Sequence, residues 1–146
     1  AEVIAREPFV LITPKNVRGA DPIQLLRDHP FIRYDRNSFG GRSVTQFLRE
    51  QKLHVRQALE LDELDAIVKM VRSGLGVALV PLAGLWLENA SDVRVIPLQA
   101  LTFHREIVLL TRYQQRHAPL FNLFRTCVMD AMAKHSAQSW QARASS

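Results

Sequence analysis

The segment DRNSFGGR, Asp35 to Arg42, brings together residue types that suit an anion. Ser38 offers a hydroxyl, Gly40 and Gly41 offer exposed backbone, and Arg36 or Arg42 offers a guanidinium. Free amides at the start of a helix attract negative charge, and the planar guanidinium fork matches a carboxylate or phosphate. The same residues have a plainer reading in which Asn37 or Ser38 caps a helix and the arginines are solvated. A second group, Asp62, Glu63 and Asp65, sets carboxylates close together as general acid-base chemistry would need. Acids in the first turn of a helix also complement its dipole, and Asp62 reads more simply as an N-cap.

The rest of the chain supplies little catalytic chemistry. Its five histidines, His29, His54, His104, His117 and His135, are scattered over turns, strand edges and termini, with no HExxH and no ligand-like pair. The GLG of residues 74–76 is neither a phosphate-binding loop nor a dinucleotide fingerprint. Cys127 is the single cysteine, so an intrachain disulfide or a cysteine zinc site is excluded. No catalytic residue, metal or cofactor is expected, and the enzyme reading fails.

These groups have to be positioned by a globular fold. The chain has 146 residues, 47% hydrophobic and 23% charged, which is room for one domain with a real core. A formal charge of +5, from 19 basic and 14 acidic residues, is a mild excess with no long basic block, so a mixed-charge surface explains it better than a nucleic-acid face. The lone cysteine fits a reducing compartment. With no signal peptide and no apolar run of membrane length, the protein reads as soluble and cytoplasmic, without a membrane partner.

Along the chain, PFVLIT (Pro8 to Thr13) predicts a buried strand. Asp21-Pro22 opens a short helix, and Phe31 to Tyr34 forms the next strand. Val44, Phe47 and Leu48 fall at helical spacing in GRSVTQFLREQ. Val55 to Leu61 reads as a strand. The run DELDAIVKMVRS is the clearest helix, with Leu64, Ile67, Val68 and Val71 on one face and Lys69 and Arg72 in its last turn. Gly74 is placed to end that helix in a left-handed conformation, and Gly76 allows close approach as GVALVP enters a sheet. Apolar strands alternating with helices predict an α/β fold with a parallel sheet covered on both faces. Asp92 to Leu98 suggests an edge strand and Arg105 to Arg112 a strongly buried one. A long helix follows, with Leu120, Phe124, Cys127, Val128 and Ala131 on one face, and the tail from Ser136 should fray.

This order of elements, with the helix-glycine-strand run LELDELDAIVKMVRSGLGVALVP at its centre, resembles the latter half of a LysR-type transcriptional regulator. Leu59 to Pro81 is the most specific part, and weaker resemblance covers Pro8 to about Met132. The resemblance implies a type 2 periplasmic-binding-protein fold, in which two α/β subdomains are joined by crossover strands. Residues 1–135 would then be a partial effector-binding domain. Within it, residues 15–103 form the second subdomain, residues 105–112 the returning crossover and residues 118–134 a terminal helix, with 136–146 as a flexible tail. The DNA-binding part and most of the first subdomain have no counterpart, so the chain reads as a fragment.

The implied function is effector sensing: a small, anionic molecule held between two subdomains, with DNA engaged only through a domain absent from this chain. Homo-oligomerisation is implied for the full-length parent. A solute-binding protein of the same fold, its export signal removed, is the alternative. From the resemblance and from the residues together, Thr13, Asp35, Asn37, Ser38, Arg42, Leu61, Asp62 and Phe103 are the candidate effector contacts. Thr13 enters because it ends the outgoing crossover, Leu61 and Asp62 because that stretch lies at the family's cleft mouth, and Phe103 as a wall before the returning strand.

Overall fold

The structure is a computed structural model that describes residues 1–83, 86, 92–115 and 117–134, apart from the side chain of Tyr113. Its backbone is a mixed sheet built around one long strand. That strand, β1 (Glu2–Pro14), is exposed or half-buried over its first seven residues and buried from Phe9 onward. Its buried half pairs antiparallel with β4 (Ala78–Pro81) on one side and β5 (Val93–Pro97) on the other; its first half pairs antiparallel with β6 (His104–Leu109). Strands β2 (Phe31–Tyr34) and β3 (Gln57–Leu61) run parallel, and a parallel bridge from Phe31 to Val77 joins them to the start of β4.

The expectation of a parallel sheet therefore holds only for β2, β3 and the start of β4. Alternating strands and helices show that crossovers exist, but not that a strand from one end of the chain lies in the middle of the sheet. Here β1 does, and it runs against its neighbours.

The helices follow their local signals closely. In α1 (Pro22–Asp28) the Asp21 side chain accepts from the Ile23 amide, and Pro22 fills the first position, where no amide is needed. Helix α2 (Phe39–Glu50) buries Val44, Phe47 and Leu48. Helix α3 (Leu64–Arg72) buries Ile67, Val68 and Val71, with Asp65 in its first turn and Lys69 and Arg72 in its last. Asp62 does not cap it: the N-cap position falls on Glu63, which makes no side-chain capping bond.

Gly74 has φ of +86°, the left-handed end that the glycine predicts. A β-carbon at Gly76 would lie 2.2 Å from the Pro30 carbonyl oxygen, so the helix-to-strand corner closes directly against the start of β2. The core joins β1, β2, β4 and β5 to α2 and α3; Trp86 is buried in it and donates to the Pro81 carbonyl at 2.8 Å.

Two expectations about the C-terminal third change. The returning strand is not strongly buried, since His104, Glu106 and Val108 are exposed while the alternate residues are half-buried. In α4 (Pro119–Lys134) no residue is fully buried, and the side that is half-covered carries Phe121, Arg125, Val128, Met129 and Met132. Leu120, Phe124, Cys127 and Ala131 face outward. Spacing found an apolar stripe there, but α4 packs on β1 through a stripe one position along. The tail from residue 136 lies outside the described residues.

Candidate functional site

The parallel register of β2 and β3 sends both strands toward one edge of the sheet. Their ends are tied there by the Asp35 amide, which donates to the Leu61 carbonyl at 2.8 Å. The chain then turns straight into α2. The Asp35 carboxylate accepts from the Asn37 amide at 3.0 Å, and the Asp35 carbonyl accepts from both the amide (3.0 Å) and the hydroxyl (2.7 Å) of Ser38. Gly40 and Gly41 let the helix start this close to the strand: β-carbons there would meet the Tyr34 ring at 2.7 Å and the Asp35 carbonyl oxygen at 1.6 Å.

Ser38 is the N-cap, accepting from the Gly41 amide at 2.9 Å. Its one proton goes to the Asp35 carbonyl, so the hydroxyl has no hydrogen left for an anion. The first intrahelical bond runs from the Arg42 amide to the Ser38 carbonyl at 3.0 Å. The amides of Phe39 and Gly40 precede that bond and the cap, and they form the positive end of α2.

Phe39 is 86% exposed at the first position of α2, and the Arg42 guanidinium lies 5.6 Å from its ring centre. From Phe39 a groove of about 760 Å³ runs to the β1–β6 ladder, bounded by Ser43, Arg6, Phe103 and His104. Phe103 has two roles. It is stacked between Phe9 (4.4 Å) and Phe47 (4.7 Å), which makes it part of the core, and it also lines the groove. Arg105, on the same wall, is paired with Glu7 across the two strands.

Of the residues singled out in the sequence, Asp35, Asn37, Ser38 and Arg42 come together at the start of α2, with Leu61 bonded beside them. Asp62 is exposed at the next position along the edge. Thr13 lies elsewhere. Because β1 opposes β4, which runs with β2, its end falls at the opposite edge of the sheet; Thr13 is fully buried, and its hydroxyl donates to the Pro14 carbonyl at 3.1 Å. Arg36 turns away as well: its amide donates to the Glu60 carboxylate (3.0 Å) and its guanidinium to the Gln57 side chain (2.6 Å).

Sequence reasoning overlooked Phe39 and Arg6. The usable signal for Phe39 was an aromatic wedged between a capping serine and two glycines, at a helix position out of phase with Val44, Phe47 and Leu48. Arg6 carries no local signal, since only the pairing of β1 with β6 brings it to the groove.

The architecture is a mixed α/β sheet whose parallel strands end at the start of α2, with two antiparallel strands, β1 and β6, running outward from it. The sequence profile of the LysR substrate binding domain matches residues 1–133, and the chain belongs to that family, the effector-binding part of LysR-type transcriptional regulators. It is 27% identical over 140 residues to the RuBisCO operon transcriptional regulator of Allochromatium vinosum, covering 92% of this chain and 46% of that protein. Among solved structures it resembles the regulatory domain of CcmR from Synechocystis PCC6803 in complex with 2-PG, with a TM-score of 0.71, 17% identity and coverage of 90% of this chain and 65% of the other. It also resembles the effector binding domain of QuiR in complex with shikimate (TM-score 0.72, 16% identity, 92% and 66% covered). A third likeness is to the H2O2-bound cysteine-to-serine mutant of OxyR from Corynebacterium glutamicum (TM-score 0.74, 17% identity, 99% and 47% covered).

The fold is therefore the type 2 periplasmic-binding-protein fold. The chain spans about half the length of its curated relative and about two thirds of the first two solved domains. Family membership favours the regulator over the solute-binding protein. No described helix is long and apolar enough to cross a membrane.

Proposed function

We propose that this chain forms one wall and the hinge of an effector cleft in a LysR-type regulator, and that the cleft takes a small anionic molecule, a carboxylate or a phosphate ester. The groove between the start of α2 and the β1–β6 ladder carries this reading: the exposed aromatic Phe39 lines it together with Arg6 and Phe103, and the Arg42 guanidinium lies against the Phe39 ring from the neighbouring side of α2. Phe39 and Phe103 supply apolar contact, while Arg6, paired with Glu106 at 3.7 Å on the same wall, and Arg42 at the rim supply charge and the start of α2 supplies free amides. Support also comes from the proteins that share the fold, two of which are described in complex with 2-PG and shikimate.

In this reading the ligand favours one placement of the two subdomains over another, and the β1–β6 ladder transmits the difference to a DNA-binding part outside this sequence. The regulator assembles as a homo-oligomer. Screening small carboxylates and phosphate esters by thermal shift against the full-length protein tests it. A hit whose affinity falls about tenfold or more in Arg42→Ala, the loss expected for a charge-assisted hydrogen bond, supports the reading. Hits unaffected by both Arg42→Ala and Phe39→Ala would place the ligand elsewhere.

A further inference from the structure

A second, separate polar pocket lies on another flank of α2. In the middle of β2, a strand otherwise made of Phe31, Ile32 and Tyr34, stands Arg33, only 8% exposed. Its Nη2 donates to the Thr45 hydroxyl at 2.8 Å, but its Nε, also buried, has no hydrogen-bond partner. Thr45 gives its own proton to the Gly41 carbonyl at 3.0 Å, so it offers Arg33 a lone pair and no charge. Burial above all, and then neighbouring Arg36, hold the Arg33 guanidinium below its usual pKa, against the opposing pull of Glu60.

Arg33 lines a cavity of about 350 Å³ with Arg36, Arg49, His54 and Thr45, floored by Leu48 and Leu53. Three guanidinium groups border it and no carboxylate does. Arg36 is paired with Glu60, whereas Arg49 makes no ion pair or side-chain hydrogen bond among the described residues. A buried guanidinium with one unpartnered N–H and no direct ion pair among the described residues, its nearest countercharge Glu60 already engaged by Arg36, and a second unpaired cation on the same wall form an arrangement suited to an anion.

We infer that this pocket, formed by β2, α2 and the segment leading into β3, is an oxyanion site specific for phosphate, free or as the head of a small phosphate monoester. Phosphate presents several acceptor oxygens and one to two negative charges, which suits two guanidinium forks at once. The cavity shares no lining residue with the Phe39 groove, and Arg42 lies between the two, in a depression that shares Arg36, Thr45 and Arg49 with this pocket; the site is distinct from the groove itself. Both are built on α2, so an anion on one flank stiffens the element that walls the other.

The test is a titration of the 146-residue chain with inorganic phosphate at constant ionic strength, balanced with sodium chloride, followed by NMR of the arginine Nε–Hε signals and by thermal unfolding. Expected are a saturable shift of the Arg33 Nε–Hε resonance and a rise in Tm, with affinity about tenfold weaker in Arg49→Gln, the loss of one charge-assisted bond, and binding abolished in Arg33→Gln. Should Arg33→Gln fail to fold, Arg49→Gln decides alone. A parallel titration with glycerol 3-phosphate separates the two sources: tighter binding than phosphate assigns the site to an ester, equal binding to free phosphate. The inference is overturned by a response that does not saturate, by equal affinity in wild type and Arg49→Gln, or by sedimentation showing that this face joins two copies while phosphate has no effect.

Discussion

The backbone of Gly41 lies directly against the carbonyl of Asp35, and a β-carbon on Gly41 would come within 1.6 Å of that oxygen. Strand β2 and helix α2 are thus joined by contact of backbone on backbone, and the N-terminal end of α2 is held at the sheet edge with no side chain between them. Gly41→Ala should displace the first turn of α2 and destabilise the chain by about 3 kcal/mol or more. Gly74→Ala should cost only about 1 kcal/mol, because its φ of +86° is strained for alanine but nothing lies within 4 Å of the new methyl group. Chemical denaturation of the two variants checks the contrast.

Ser38→Ala removes a cap whose hydroxyl is bonded on both sides. A loss of about 1 kcal/mol in unfolding free energy is expected, with Ser38→Thr, whose hydroxyl can both accept from Gly41 and donate to Asp35, retaining most of the stability. The hydroxyl's proton is committed to Asp35, so effector affinity should change much less in Ser38→Ala than in Arg42→Ala. Calorimetry on the full-length protein separates the two roles.

Phe39→Ala should leave stability within about 0.5 kcal/mol of wild type, as expected for a side chain this exposed. Its effect belongs to binding. A large fall in Tm without ligand would make Phe39 a structural residue and remove the aromatic wall from the cleft.

The start of β1 is fastened to α4 by the bidentate pair of Arg125 with Glu2. The hydrogen bond from Arg125 holds the Glu2 carboxyl below its ordinary value, and Arg125 is correspondingly raised. A carboxyl whose folded pKa is depressed contributes stability above its unfolded pKa and loses it as pH falls through the folded one. Protection of α4 amides from hydrogen exchange should therefore decline on acidification below about pH 4, the ordinary carboxylate range, and Glu2→Gln should abolish that pH dependence.

On α4, Leu120, Leu123 and Phe124 are exposed and form an apolar stretch on one side of the helix. Phe124→Ser should raise solubility and leave the unfolding midpoint almost unchanged, whereas Met132→Ser, on the half-covered side, should lower the protection of α4. Light scattering and hydrogen exchange read the two effects.

The sequence by itself determined the local pieces. Caps, proline at a first helical turn, the left-handed glycine and helical spacing depend on residues within a few positions of each other, and α1, α2 and α3 and the Gly74–Gly76 corner formed where those signals put them, save that Asp62 does not cap α3. The Asp35–Arg42 cluster was legible for the same reason, because one turn contains it. What only the tertiary structure decided is pairing across distance: that β1 runs antiparallel through the middle of the sheet, which sends Thr13 to the edge away from α2; that β6 brings Arg6 and Phe103 to one groove; and that Arg33, an arginine in a four-residue strand, lies buried beneath α2 beside Arg49. Strand order and direction depend on contacts between segments tens of residues apart, and no local preference encodes which of two faces or two ends a side chain will share with a distant partner.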